Sequence, residues 1–236
     1  MQFIPVKTRI LQPPKDDLLA VLDVSLTDLQ AGDVLVVSSK VLAIHEGRCV
    51  PGGEYDVAAH IAREADVVIP RPDRPSPLTL INHTIVGGAG VDRSNSNGYV
   101  TLLPRDPFLS ARRIYEYTTK RFGTTELGVI ITDSHSVPCR YGAQGVAIGW
   151  WGFQPLVDHV NKADLFGRKI QYERSNLADG VAAGAVVVMG EVAECTPLVI
   201  ARNVPNLLFT TENTKDKLFC PPEDDIMKVL YKDFLT

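Results

Sequence analysis

Asp92 in GVDRSN, Asp133 in ITDSHS and Glu191 in MGEVAE each stand at or just beyond the end of an apolar run. Loops in such places hold side chains accurately and leave them open to a ligand. Brought together, the three carboxylates make an oxygen-rich, negatively charged pocket. At about 4 Å each pair repels by several kcal/mol at an effective dielectric of about 20, so convergence demands a cation. Hard oxygen ligands with few histidines select magnesium or manganese over zinc. Two such ions can clamp a triphosphate and neutralise charge in phosphoryl transfer. Taken singly, each acid is more simply a turn or cap residue.

Other residues could join that chemistry. Ser38-Ser39-Lys40 ends the run VLVVSS and could present hydroxyls and an ammonium to a phosphate, although a solvated strand end is the simpler reading. Arg140 in VPCRYG carries the planar fork that binds a carboxylate or phosphate in bidentate fashion; an exposed loop arginine is equally ordinary. His135 lies beside Asp133-Ser134. Trp150-Trp151 could wall a flat ring, and core packing is the better reading of the pair.

The elements that must position these groups are readable in outline. The first ten residues alternate weakly, as a strand does. Asp16-Asp17 precedes LLAVL, a short helix with an acidic start. VLVVSS is a continuous apolar run, hence a buried strand. Residues 54–68 have helical spacing, and the prolines between 70 and 77 turn the next stretch into a loop. LTLINHTIV reads as a strand that runs into the Gly- and Asn-rich loop GGAGVDRSNSNG. Leu109 to Phe122 is the clearest amphipathic helix, with a strand after it in LGVIITDSHS and a tightly packed, glycine-rich strand in GVAIGWWGF. DLFGRKIQYE turns at Gly167 and resumes as a strand. Leu177 to Met189 reads as a buried helix, TPLVIARN as a strand, and Glu223 to Phe234 as helical. Strand pairs mixed with helices argue for an α+β fold rather than a regular βαβ wheel. No P-loop pattern occurs, and no G-x-G-x-x-G opens a long helix.

Composition bounds the function classes. The chain has 236 residues, 45% hydrophobic and 22% charged, with net charge −4. That is an ordinary globular balance, enough for a core without metal or disulfide. No Lys/Arg run supplies a nucleic-acid face. The four cysteines, Cys49, Cys139, Cys195 and Cys220, are far apart, so a zinc site or redox dithiol is not expected. The start lacks the layout of a signal peptide. The most apolar stretch, Gly180 to Gly190, falls well short of the roughly 20 residues that span a bilayer. A cytoplasmic enzyme binding neither nucleic acid nor membrane is the expectation.

The ordered set GDVLVVSSKVLAIHEGR, GAGVDRSN, LLPRDPFLSARRI, GVIITDS, VAIG, ADLFGRKI and LADGVAAGAVVVMGE resembles the coenzyme F420-0:L-glutamate ligase family, from about residue 8 to residue 203. The resemblance implies a single ligase unit over 1–236, with 204–236 as a C-terminal extension of no recognisable motif. It also implies an unusual α+β fold, a homodimer, and GTP (or ATP) as co-substrate held by two magnesium or manganese ions. L-Glutamate would be joined to a carboxylate on a cofactor-like acceptor through an acyl phosphate. By the same resemblance, Asp92, Asp133, Ser134 and Glu191 are metal ligands, with Asp92, Asp133 and Arg140 in catalytic roles. Nucleotide contacts fall on Ile10, Leu11, Gln12, Pro13, Ser39, Lys40 and Asn95. They also fall on the run Met189, Gly190, Glu191, Val192, Ala193, Glu194, Cys195 and Thr196.

The departures from the family pattern are local. Its lysine five residues after the strand-end serine is Ile44 here. Its D-T-F-G-R-P-W-R reads DSHSVPCR at 133–140, and Ala143 and Gly145 replace a glutamine and an aspartate. A changed acceptor, such as a folate-like pterin, or a nucleotide-binding protein without catalysis, are the alternatives these departures raise.

Overall fold

The longest apolar runs become the interior of one sheet. The computed structural model describes residues 1–53 and 55–235. In chain order the elements are β1 (Gln2–Val6), α1 (Leu18–Ser25), β2 (Val34–Ser38), α2 (Ser39–His45), β3 (Cys49–Pro51), α3 (Val57–Glu64), β4 (Val67–Ile69), β5 (Leu78–Ile81), β6 (Thr84–Gly87), β7 (Tyr99–Thr101), α4 (Pro107–Phe122), β8 (Gly128–His135), β9 (Gln144–Trp151), β10 (Leu156–Asp158), β11 (Arg174–Asn176), α5 (Leu177–Met189), β12 (Leu198–Arg202) and α6 (Lys215–Leu218). The main sheet has the order β1-β12-β2-β8-β9. Smaller sheets pair β3 with β7, β10 with β11, and β4-β5-β6. The α+β expectation holds.

Both faces of the main sheet are covered, which is why its central strands read as unbroken apolar runs. Leu35, Val37, Val129, Ile131, Leu198 and Ile200 face a core shared with α1, α2 and α4. Their neighbours Val34, Val36, Ile130, Val199 and Ala201 face a second core under α5. Strand β9 carries a bulge where Gly149 faces Ile131 and Ala147 faces Thr132. The extra residue explains why Ala147 and Trp150, three apart, reach the same core.

Local chemistry sets the helix ends. Asp106 caps α4 by accepting from the Leu109 amide at 2.9 Å, Pro107 sits in the first turn, and Gly123 at φ 68° ends the helix. Asn176 caps α5, and Asp179 in its first turn accepts from the Ala147 amide at 2.8 Å, tying helix to sheet. Asp17 accepts from the Leu19 and Ala20 amides and so is the cap of α1 rather than part of its first turn.

Several expectations are corrected. LTLINHTIV is a hairpin, not one strand: Asn82 and His83, at φ 49° and 56°, turn β5 back into β6. SKVLAIH is the helix α2, which the sequence reading did not separate from the strand before it. After Gly167 only an isolated bridge between Ala163 and Lys169 forms, and pairing resumes at β11. The stretch 223–234 forms short 3₁₀ turns, not an α-helix. Helix α5 is buried on one face only, since Val187 is exposed.

The segment beyond residue 203 acquires a role. Thr214 Oγ1 accepts from the Trp150 indole N–H at 2.9 Å, and the Phe219 ring lies edge-on to Trp150 and Phe108. It closes the second core.

One ion pair fastens β12 to the start of the neighbouring β2. Arg202 on β12 donates to both carboxylate oxygens of Asp33, at 2.9 and 2.8 Å, and Asp33 is 1% exposed. Removing one partner strands a buried charge. Arg202→Met is expected to lower unfolding free energy by about 3–5 kcal/mol, read by urea denaturation. Arg202→Met combined with Asp33→Asn should recover part of that loss.

Candidate functional site

Strands β2 and β8 are parallel, and their pairing ends with Ser38 opposite Thr132, beyond which β8 runs on beside β9. The chain then turns into α2 on one side and continues to Asp133 and Ser134 on the other. This register alone brings Ser39-Lys40 beside Asp133-Ser134. The first turn of α2 adds backbone N–H groups that have no partner within the helix.

Asp92 arrives from a different direction. Gly88, Ala89 and Gly90 have successive positive φ of 55°, 53° and 70°, a tight turn. Asp92 then pairs with Thr101 through both backbone groups. Leu103 packs where a side chain at position 90 would stand, so Gly90 is required there. The Asp92 side chain accepts from the Ser94 amide at 2.7 Å and from Lys40 Nζ at 2.5 Å. Lys40 Nζ also donates to the Ser94 carbonyl and hydroxyl, each at 2.7 Å.

The third wall is the segment after α5. Gly190, at φ 75°, leads into residues 191–197, which are held by Thr8 N–H to the Cys195 carbonyl and Ser38 N–H to the Pro197 carbonyl, both 2.9 Å. The Asn95 side-chain amide reaches across to the Val192 carbonyl at 2.8 Å. Arg9 and the loop after it form the fourth wall. Asp16 knits that loop by accepting from Arg9 at 2.6 and 2.8 Å and from the Gln12 amide at 2.8 Å.

These walls enclose a cavity of about 650 Å³. Its lining includes Ile10, Leu11, Gln12, Ser39, Lys40, Asp92, Asn95, Asp133, Ser134 and all of Met189 to Thr196. Segments far apart in sequence therefore meet in one space. Five residues singled out from sequence do not line it. Pro13 lies beyond its edge. Arg140 is exposed on the loop between β8 and β9 and, among the described residues, donates only to the neighbouring Cys139 carbonyl. His135, Trp150 and Trp151 lie outside it too. Arg9 and Thr8 line it and were not singled out; their signal was adjacency to Ile10, which means little until the fold brings residue 8 to residue 195. Ile44, where the family pattern has lysine, lines the cavity at 3% exposure. Among the described residues, Arg9 and Lys40 are the cations of the lining.

The two aspartates differ electrostatically. Desolvation pushes Asp92 up, but hydrogen bonds from Lys40 and Ser94 outweigh it, and its carboxyl lies below the ordinary value. Burial pushes Asp133 up and the charge of Asp92 adds to that, against hydrogen bonds from the Ser134 amide and Ser39. An acid raised first by desolvation and further by a neighbouring acid gains from a cation placed between the two. Among the described residues no three His, Cys, Asp or Glu side chains gather closely enough to hold an ion by themselves; Glu191 stands apart on the exposed lip. The donor set still suits a hard cation. Asp92, Asp133 and Ser134 offer only oxygen, and the Lys40 ammonium already rests among three oxygens there. Magnesium routinely completes its shell with water and substrate phosphate.

Comparison with known proteins bears on the whole chain. A family model described as F420-0:gamma-glutamyl ligase matches residues 5–203. The coenzyme F420:L-glutamate ligase of Methanothermobacter thermautotrophicus is 32% identical over 219 residues, 85% of this chain and 86% of that protein. The enzyme of the same name from Methanopyrus kandleri is 33% identical over 223 residues, 85% of each chain. That from Archaeoglobus fulgidus is 31% identical over 249 residues, covering 97% of this chain and 96% of the relative. No helix among the described residues is long and apolar enough to cross a membrane.

Proposed function

Because the chain belongs to the F420-0:gamma-glutamyl ligase family, a family of amide-forming ligases, we propose that it joins L-glutamate to a carboxylate of coenzyme F420-0 or a related acceptor, using GTP (or ATP) through an acyl phosphate. The observation that carries this reading is the shared cavity. Acids, a lysine, strand-end hydroxyls and a turn-rich lip face one space of about 650 Å³, and no histidine lines it among the described residues.

That inventory suits activation by phosphorylation. A carboxylate is a poor electrophile. Its oxygen attacks the γ-phosphorus, the bond to the β-phosphate oxygen breaks, and the resulting acyl phosphate offers phosphate as leaving group. The glutamate amine then attacks the carbonyl carbon, phosphate departs and the nitrogen loses its proton. Such transfer needs positioning and charge neutralisation more than a protein nucleophile. In this reading Lys40 and Arg9 meet phosphate oxygens, taking over the charge absent at Ile44. Asn95 and the 189–196 lip hold the nucleotide. Asp92 and Asp133, with Ser134 beside them and Glu191 on the lip, would hold magnesium or manganese. Bound there, two such ions would neutralise the triphosphate.

The acceptor is the open choice. The sequence departs from the family pattern mostly along 135–145, outside the cavity lining, and within the lining at Ile44 and Ser134, which keeps a folate-like acceptor as the alternative. The proposed enzyme works in the cytoplasm as a homodimer. Leu165, Phe166 and Tyr172, each more than 85% exposed on the arm between β10 and β11, give a second copy an apolar surface to cover.

The test is phosphate release with magnesium or manganese, GTP or ATP, L-glutamate and a panel of F420-0 and folates, with mass spectrometry of the acceptor. Gain of a glutamate on one acceptor, abolished by EDTA and restored by excess magnesium, is the expected result. Phosphate released without glutamate would make the protein a hydrolase. Bound nucleotide with no product on any acceptor would make it a non-catalytic binder.

A further inference from the structure

A second cavity, about 250 Å³, shares Leu103 with the first as a wall and lies against Ala89 of the tight turn. Its polar lining is three arginines (Arg48, Arg63 and Arg105) with Glu64, His60 and Asn82. One carboxylate against three guanidinium groups leaves it basic.

His60 on α3 defines what is missing. The side chain is 1% exposed and its Nε2 has no hydrogen-bond partner among the described residues. Arg63 Nη2 lies 3.2 Å from the other ring nitrogen, Nδ1, and the Tyr55 hydroxyl lies 3.0 Å from it. A guanidinium can only donate, so Nδ1 is the acceptor and Nε2 carries the hydrogen. Burial, reinforced by Arg63 and Arg48 and opposed by Glu64, lowers the basicity of the ring and favours this neutral form. The Ala89 carbonyl lies near enough to favour protonation but outside hydrogen-bonding geometry. A buried N–H therefore lies at the cavity wall without an acceptor, a loss that an oxyanion drawn against it would make good.

The arginines divide into two kinds. Arg48 is engaged by the Leu103 carbonyl and Glu64, and Arg63 by Glu64 and His60. The Arg105 side chain makes no hydrogen bond or ion pair among the described residues, while its backbone amide is fixed by Glu46 at 3.1 Å. Two unengaged donor groups, one of them a permanent cation, face a cavity smaller than the roughly 300–1,000 Å³ of pockets for drug-sized ligands. A small anion with several acceptor oxygens satisfies both.

We propose that this cavity is an oxyanion site, separate from the larger one, in which a carboxylate or phosphate group is held by Arg105 and by the Nε2–H of His60. The site does not depend on the ligase reading, and its test needs no turnover.

The test is titration of the full chain, without nucleotide, with inorganic phosphate in one arm and L-glutamate in the other. Binding is measured by calorimetry and by the Nε2–H resonance of ¹⁵N-histidine-labelled protein. A saturable shift of the His60 signal with either probe is expected, and the responding arm identifies the source of the oxyanion. Arg105→Met, which removes an exposed side chain with no structural partner, should raise Kd roughly 10–100-fold, the scale of a charge-assisted hydrogen bond. His60→Leu should weaken the same binding in the arm that responds. No saturable binding in either arm would overturn the proposal. So would binding that Arg105→Met leaves unchanged, or binding lost with Lys40→Ala, which would locate the anion in the first cavity.

Discussion

Asp92→Asn and Asp133→Asn are each expected to lower turnover by at least on the order of 10²-fold, the scale of losing one group that acts on developing charge. Both should also weaken nucleotide binding in the presence of magnesium. Their effects on stability should differ in sign. Asp133 is raised by burial and by the neighbouring Asp92 charge; a raised carboxyl is a group whose ionisation works against the fold as pH climbs past its unfolded value. Replacing it with a neutral amide should raise the melting temperature of the metal-free protein at neutral pH. Asp92 is paired with Lys40, and its side chain is 43% exposed, so Asp92→Asn should cost no more than about 1 kcal/mol. Steady-state phosphate release, nucleotide titration and thermal melts of the two variants check this. Full activity in either variant would remove that residue from the site.

A large structural effect is expected at Gly152. It has φ +96°, and a Cβ placed there collides with the Leu127 carbonyl oxygen and lies 2.8 Å from the Tyr115 ring. Backbone cannot step aside as a side-chain tip can. Gly152→Ala should destabilise by about 2–5 kcal/mol, combining left-handed strain with overpacking. Gly142 is the control, with φ +91° and nothing within 4 Å of an added Cβ. Gly142→Ala should cost only the strain, about 1–2 kcal/mol. Chemical denaturation of both variants separates the contributions. Equal losses would show that the close approach to Leu127 contributes nothing.

Legibility in the sequence tracked burial and caps. The strands 34–38, 128–132 and 198–202 were readable because both sheet faces are covered and the runs are apolar throughout. Helices α4 and α5 were readable from periodicity closed by Gly123 and Gly190. Helix α2 was hidden because nearly all of it is buried, which erases the polar half of the helical period. The hairpin at Asn82-His83 was hidden because histidine is not the usual residue in a turn of positive φ. In the site, residues next to Ser38 and Thr132 were accessible to reasoning, since they follow directly on apolar strand runs. Arg9 was not, because its place depends on the pairing of residue 8 with residue 195. Arg140 looked capable because arginine is capable, but it is exposed and does not line the cavity.

The closure of the second core by the tail has an optical corollary. Trp150 and Trp151 are adjacent in the chain but belong to different surroundings. The first is 0% exposed, bonded to Thr214 and flanked by Phe219. The second packs against the core of the opposite sheet face, with the Arg112 guanidinium 5.2 Å from its ring centre. The protein thus carries two emitters a single residue apart, of which only one looks onto the C-terminal segment. Were that segment to lift while the sheet stayed intact, the emission of Trp150 would move to longer wavelength and become open to quenchers while Trp151 reported no change. Each face of the sheet has its own lamp.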